Sequence, residues 1–259
     1  MRIALGVEYN GAPYCGWQSQ KNCCGVQNFV ENAIAKSAEQ PIRIHAAGRT
    51  DTGVHAMMQV VHFDTEVSRP ESAWVRGVNA FLPKTVRIVW TKIVDETFHA
   101  RFSATQRSYQ YLLVNQATAP AINVDKAGWY HLPLNVMAMQ EAITHLQGEH
   151  DFSAFRASEC QANSPIRTLH TASITAHGET IIFNFSANAF LQHQVRNMVG
   201  ALIYVGKGKY SAEFIKELLA QKNRTLAPPT FSPNGLYLVG VEYDKKFDLP
   251  STQRSLILI

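Results

Sequence analysis

Ile3, Leu5, Val7 and Tyr9 alternate with their neighbours, and Asn10-Gly11 follows, so a strand ending in a turn is predicted at the N-terminus. From Val26 the period lengthens. Phe29, Val30, Ala33 and Ile34 fall on one face of a helix. Ile42 and Ile44 mark a short strand, and residues 57–66, MMQVVHFDTE, read as another. Trp74, Val78, Phe81 and Leu82 give a second helix, stopped by Pro83, whose ring disfavours helical backbone in the residue before it. Val86, Ile88 and Trp90 alternate again. The order β-α-β-β-α-β is the split βαβ pattern of ferredoxin-like units.

The rest of the chain repeats that order loosely. RSYQYLLVN (107–115) reads as a strand, and Val136, Met139, Ile143 and Leu146 as a helix. Residues 168–175 and 180–187 form a hairpin around His177-Gly178. Two helices follow, one from about Phe190 to Val205 and one begun by a Ser211 cap, before GLYLVGVEY (235–243) closes the set as a strand. The expected fold is α+β, two tandem halves with a cleft between them. The N-terminal half spans 1–103, the C-terminal half 104–246, and a tail 247–259. Four long irregular stretches (10–25, 116–133, 148–166 and 222–234) are candidate substrate loops.

Composition changes this picture little. With 46% hydrophobic and 17% charged residues, 259 residues describe an ordinary globular protein able to bury a core. The net charge of +4 leans toward polyanionic partners without establishing one. Cys15, Cys23, Cys24 and Cys160 show no Cys-x-x-Cys spacing, which argues against structural zinc and for a reduced, cytoplasmic chain. The adjacent pair reads as buried small apolar groups. Glu8 interrupts the apolar N-terminus, so no signal-peptide core is expected. No run approaches the roughly 20 apolar residues that would cross a membrane.

The chemistry concentrates in AAGRTDTGVHA (46–56), where Asp51 stands among Arg49, Thr50 and Thr52, with His55 close behind. Turn formation alone explains many such stretches. Asp-Thr-Gly also raises an aspartic protease, whose two carboxylates share a proton. No second such triplet occurs, so a dimer would have to supply it, and Arg49 would hold Asp51 ionised, which opposes sharing. VGKGK (205–209) lacks the spacing of a phosphate loop and reads as a basic helix C-terminus. His45, His55 and His62 fit no metal-ligand spacing.

Taken together, GRTDTGVHA (48–56), RSYQY (107–111), FLQHQVRNMVG (190–200) and GLYLVGVEY (235–243) resemble the tRNA pseudouridine synthase I family. YCGWQSQ (14–20) and GVQNFVENAI (25–34) match its opening segment. The resemblance runs from about residue 2 to 243. Gln192 and Gln194 depart from the family pattern, which usually carries an apolar residue, often Met, at 194. The resemblance implies the pseudouridine synthase fold, with a central, mostly antiparallel sheet. It also implies isomerisation of uridine to pseudouridine at positions 38, 39 and 40 of the tRNA anticodon stem-loop, without metal or cofactor. A synthase acting on another RNA site is the alternative.

By the same resemblance Asp51 is the catalytic carboxylate, and Arg196 the arginine that pairs with it. Tyr109 stacks on the base and relays the C5 proton. Tyr111, two residues along the same strand face, is assigned no chemistry. Arg49 holds the flipped nucleotide or fills the space it leaves. Lys21, Arg101, Arg156, Arg167, Lys207 and Lys209 are candidate phosphate contacts, since backbone charge dominates RNA affinity. A homodimer binding one tRNA across both subunits is the expected assembly.

Overall fold

The alternation at the N-terminus folds as a strand, β1 (Arg2–Tyr9). The structure is a computed structural model and describes residues 1–20 and 25–256. The elements continue with α1 (Val26–Ala38), β2 (His45–Ala46), β3 (His55–Asp64), α2 (Glu71–Phe81) and β4 (Val86–Val94). Next come β5 (Ala104–Asn115), β6 (Gly128–Tyr130), α3 (Val136–Thr144) and β7 (Gly148–Asp151). The last are β8 (Ile166–His177), β9 (Thr180–Ala187), α4 (Gln194–Gly206), α5 (Phe214–Gln221) and β10 (Leu236–Tyr243). Lys21, Cys23 and Cys24 lie outside the described residues, and the reading of the two cysteines with them. No helix among the described residues is long and apolar enough to cross a membrane.

Two compact units result, Met1–Gln106 with Tyr237–Ile259, and Arg107–Leu236. Almost all of β10 and the tail therefore group with the N-terminal residues. In this first unit β1 lies between β4 and β3, antiparallel to both. β2 flanks β3 antiparallel, with His45 opposite His62. β1 and β2 thus run parallel with β3 between them, the split βαβ arrangement read from the sequence. β10 pairs with β3 in parallel at Tyr237 and Leu238, opposite His55 and Ala56. The core is built from Ile3, Leu5 and Val7, Val60 and Phe63, Val30 and Ile34 of α1, and Trp74 and Val78 of α2. Each large apolar side chain so buried contributes roughly 1.5–3 kcal/mol of transfer free energy. Leu82 is extended ahead of Pro83, which ends α2 where expected. The tail folds back on β10: Val241 N donates to Thr252 O at 3.1 Å and Arg254 N to Val239 O at 2.8 Å.

In the second unit β9 lies between β5 and β8, antiparallel to both. β7 pairs with the outer side of β8, and β6 pairs with β5 in parallel. β6 and β7 fall inside segments read as irregular, because three and four residues are too few to display a period. Of the thirteen residues of α4, only Arg196 and Tyr204 escape burial. The helix starts at Gln194 rather than near Phe190, because His193 holds a left-handed backbone (φ 62°). Ser211 does not cap α5 through its side chain; its carbonyl accepts Phe214 N at 3.2 Å and the helix begins there. The fold is α+β with mostly antiparallel pairing, as expected.

Candidate active site

The Asp51 loop joins β2 to β3 in the first unit, and its side chains alternate in fate. Thr50 is turned inward and 7% exposed, whereas Asp51 is half-buried and Arg49 and Thr52 are exposed. Thr50 is tethered twice: its hydroxyl meets the Tyr9 hydroxyl at 2.8 Å, and its carbonyl accepts Trp17 N at 3.0 Å. Tyr9 and Trp17 are themselves buried and their rings pack at 5.7 Å. Gly16 (φ +87°) passes so close that a side chain there would press on the Thr50 carbonyl and the Asp51 backbone. The turn closes with Val54 N donating to Asp51 O at 3.1 Å, and Gly53 takes the positive φ of 79° that the turn requires. Upstream, the buried Gln59 of β3 donates to Gly48 O at 2.7 Å. His55 accepts Gly11 N at its Nδ1 at 3.0 Å and stacks on Tyr237 at 4.6 Å. The carboxylate therefore stands on a loop held at several points by buried partners.

Tyr109 and Arg196 belong to the second unit. Tyr109, on β5 opposite Phe185 of β9, is half-buried and meets Phe190 edge-to-face at 5.2 Å. Tyr111 shares its strand face and has a different fate. It is fully buried, and its hydroxyl donates to Ser232 O at 2.9 Å. Burial pushes its phenol well above the usual tyrosine range, against the opposing charge of Arg196. Tyr111 is thus buried in the packing of this unit; the sequence assigns it no chemistry. Arg196, in the first turn of α4, directs its Nε to Phe231 O at 2.9 Å, and Phe231 N returns a bond to Arg196 O at 3.3 Å. The structure therefore gathers Tyr111, Phe231 and Arg196, with Tyr109 against Phe190. Phe190 and Phe231 were not singled out in the sequence. Phe190 opens FLQHQVRN, so its motif was the available signal; Phe231 had none.

Gln194, where an apolar residue is usual, is fully buried. Its Oε1 accepts Leu191 N at 2.8 Å, and its Nε2 has no hydrogen-bond partner among the described residues. The next turn carries the buried Asn197, which donates to Phe155 O at 2.7 Å and accepts from Thr230 and Arg224.

The candidate phosphate contacts separate into kinds. Lys21 lies outside the described residues. Arg101 is exposed, its guanidinium 5.5 Å from the centre of the Phe102 ring, which is 75% exposed. Arg156 bonds the carbonyls of Cys160 and Ala162, and Arg167 those of Ser164 and Ile166, so both brace the 156–166 segment. Burial pushes the Cys160 thiol up, but amides of Ala162 and Gln192 and the Arg156 charge outweigh it and leave the thiol below its usual range. Lys207 sits 3.6 Å from the Tyr204 ring centre, and Lys209 lies near both Tyr204 and Tyr210. Gly208 N and Lys209 N bond Val205 O and Tyr204 O, so VGKGK closes a helix, as the failed phosphate-loop spacing suggested.

The histidines read as poor metal ligands divide as well. His45 and His62 stack at 5.1 Å with His99 beside them, whereas His55 belongs to the Asp51 loop. Burial, followed by the charges of His99, Arg2 and His45, lowers His62 to about 4. Among the described residues no group of three or more His, Cys, Asp or Glu is arranged to hold a metal ion.

A family model described as tRNA pseudouridine synthase matches residues 6–103 and 142–244. Asp51, Arg49 and Arg196 fall inside the matched segments, and Tyr109 falls between them. Among similar proteins, tRNA pseudouridine synthase A of Methylobacillus flagellatus is 61% identical over 99% of this chain and 98% of its own. The Nitrosomonas eutropha protein of the same name is 52% identical, covering 97% of this chain and 91% of its own. That of Burkholderia thailandensis is 51% identical, covering 98% and 94%.

Proposed function

The chain belongs to the tRNA pseudouridine synthase family, and from that premise we propose that it converts uridine to pseudouridine at positions 38, 39 and 40 of the tRNA anticodon stem-loop, with Asp51 as its reacting carboxylate. The Asp51 loop carries the reading: buried Thr50 is bonded by Tyr9 and Trp17, and the carboxylate follows it directly on that support. A proteolytic use of Asp-Thr-Gly is not favoured, because the loop lies within the family match and relatives resemble the chain along almost its whole length.

The reaction breaks the C1′–N1 bond, turns the base, and joins C5 to C1′. The C5 proton then leaves and N1 regains one, so nothing is oxidised and no group is imported. Asp51 acts at the sugar, as nucleophile on C1′ or as base on the ribose. An ionised carboxylate is needed near neutral pH, and Arg196 supplies positive charge for it. Its half-buried guanidinium is already oriented by the Phe231 carbonyl. Tyr109 offers a ring face to the base and a hydroxyl to the C5 proton, its ring braced edge-on by Phe190. A stacked base must be flipped to be reached, and exposed Arg49 holds it or fills its place. Arg101, Lys207 and Lys209, with Lys21, contact phosphates, and Arg156 and Arg167 add positive charge to that set from the carbonyls they brace. The protein works as a cytoplasmic homodimer.

Incubation with unmodified tRNA transcripts, followed by site-by-site mapping of pseudouridine, tests the reading. Pseudouridine is expected at 38, 39 or 40. Its appearance only elsewhere would favour the synthase with another RNA site, and no pseudouridine in any transcript would defeat the reading.

A further inference from the structure

Gln59 lies in the middle of β3 opposite Val7 and is 0% exposed. Its Nε2 donates to Gly48 O at 2.7 Å, while its Oε1 is buried without a hydrogen-bond partner among the described residues. The orientation of the amide is fixed by chemistry: the Gly48 carbonyl can only accept, so nitrogen must face it. Half of the amide is thus satisfied and half is not.

A buried acceptor left alone destabilises a fold, and an apolar chain of similar length would avoid that. Packing therefore does not explain a glutamine here. Its single bond reaches the first residue of GRTDTGVHA, three positions before Asp51. On the side where a side chain would stand Gly48 meets only open space, so no side chain of its own fixes its peptide; the preceding residue is held by Ala47 N donating to Val60 O at 2.8 Å. The next residues are anchored from the other end, where Thr50 meets Tyr9 and Trp17. Between those anchors, the bond from Gln59 sets the plane of the peptide that leads into Arg49 and Asp51.

We propose that Gln59 is a positioning residue for Asp51, whose amide holds the Gly48 carbonyl so that the carboxylate is presented at one fixed place. The proposal rests on Asp51 being the reacting group. Attack at a sugar carbon depends steeply on such placement, and a misplacement of about 1 Å lowers rates on the order of a hundredfold.

Gln59→Met keeps length and volume, removes the lone acceptor and removes the bond to Gly48. Purified wild type and variant would be compared in thermal melting, tRNA affinity and single-turnover pseudouridine formation on one transcript. The expected variant melts at or above the wild-type temperature, binds tRNA within about twofold, and reacts on the order of ten- to a hundredfold more slowly. Loss of rate without loss of stability or affinity is a signature that a structural role does not give. A wild-type rate in the variant overturns the proposal. So does a lower melting temperature or an unfolded product, because the amide would then belong to the packing. Failure of the wild-type protein itself to form pseudouridine would instead defeat the functional reading on which the proposal stands.

Discussion

Removing one hydroxyl beneath the Asp51 loop should produce a mutational effect that changes sign with its background. Tyr9→Phe deletes the partner of the Thr50 hydroxyl, 2.8 Å away, at a site where both side chains are buried. The ring remains and continues to pack on Trp17, so the volume change is one oxygen atom. The stranded Thr50 hydroxyl then carries the penalty of a buried unpaired group, about 1–3 kcal/mol. Thr50→Val in wild type should also destabilise, because it takes the Thr50 partner from the buried Tyr9 hydroxyl, at a cost of about 1–3 kcal/mol. In the Tyr9→Phe background the same substitution removes the stranded hydroxyl and should stabilise, bringing the double variant back toward wild type. The coupling expected between the two sites is therefore on the order of 1–3 kcal/mol. Urea unfolding of the four proteins at one pH measures it, with unchanged slopes required for the comparison. If Thr50→Val destabilises equally in both backgrounds, the bond does not hold the loop and the tethering argument fails.

Asp51→Asn keeps the shape of the side chain and removes its charge, so pseudouridine formation should be lost while tRNA binding stays near wild type. Turnover within tenfold of wild type would remove Asp51 from the chemistry. Tyr109→Phe should still bind tRNA and still process 5-fluorouridine tRNA through bond breakage, yet fail on normal tRNA for want of the hydroxyl. A wild-type rate on normal tRNA would end the proton-relay role. His62, lowered to about 4 from 6.5, resists protonation only when folded. Between those values the unfolded chain binds the extra proton, so stability should fall as pH drops from about 6.5 toward 4. His62→Gln should lessen that fall in urea midpoints, the neighbouring His45, His99, Arg2 and Asp64 being common to both proteins; equal pH dependence would show that His62 contributes none of it.

Local periodicity was enough to give α1, α2, β1, β4 and the β8–β9 hairpin, because each is long enough for its buried face to repeat. The motifs reached further than the elements did. GRTDTGVHA, RSYQY and FLQHQVRNMVG identified the family before any geometry, since residue types in a fixed order are a property of the chain itself. What the sequence alone could not supply is which of two chemically similar residues is buried. Tyr109 and Tyr111 share a strand face by alternation. Only the packed unit covers Tyr111 with Ser232 and Phe231 and leaves Tyr109 half-exposed beside Phe190.

Partners distant in the chain were equally hidden. Tyr9 finds Thr50 across 41 residues, and Arg196 finds Phe231 across 35. No local pattern encodes either meeting, because each depends on the register of strands or the docking of a loop. β6 and β7 leave no pattern in the sequence for the related reason that so short a strand is stabilised by its neighbour, not by its own residues. α4 starts later than the apolar pattern suggests because His193 takes a left-handed backbone, a conformation uncommon outside glycine that local periodicity does not mark. The chain thus fixes its candidate reacting groups by identity, and tertiary packing decides which are buried, which are tethered, and which stay accessible.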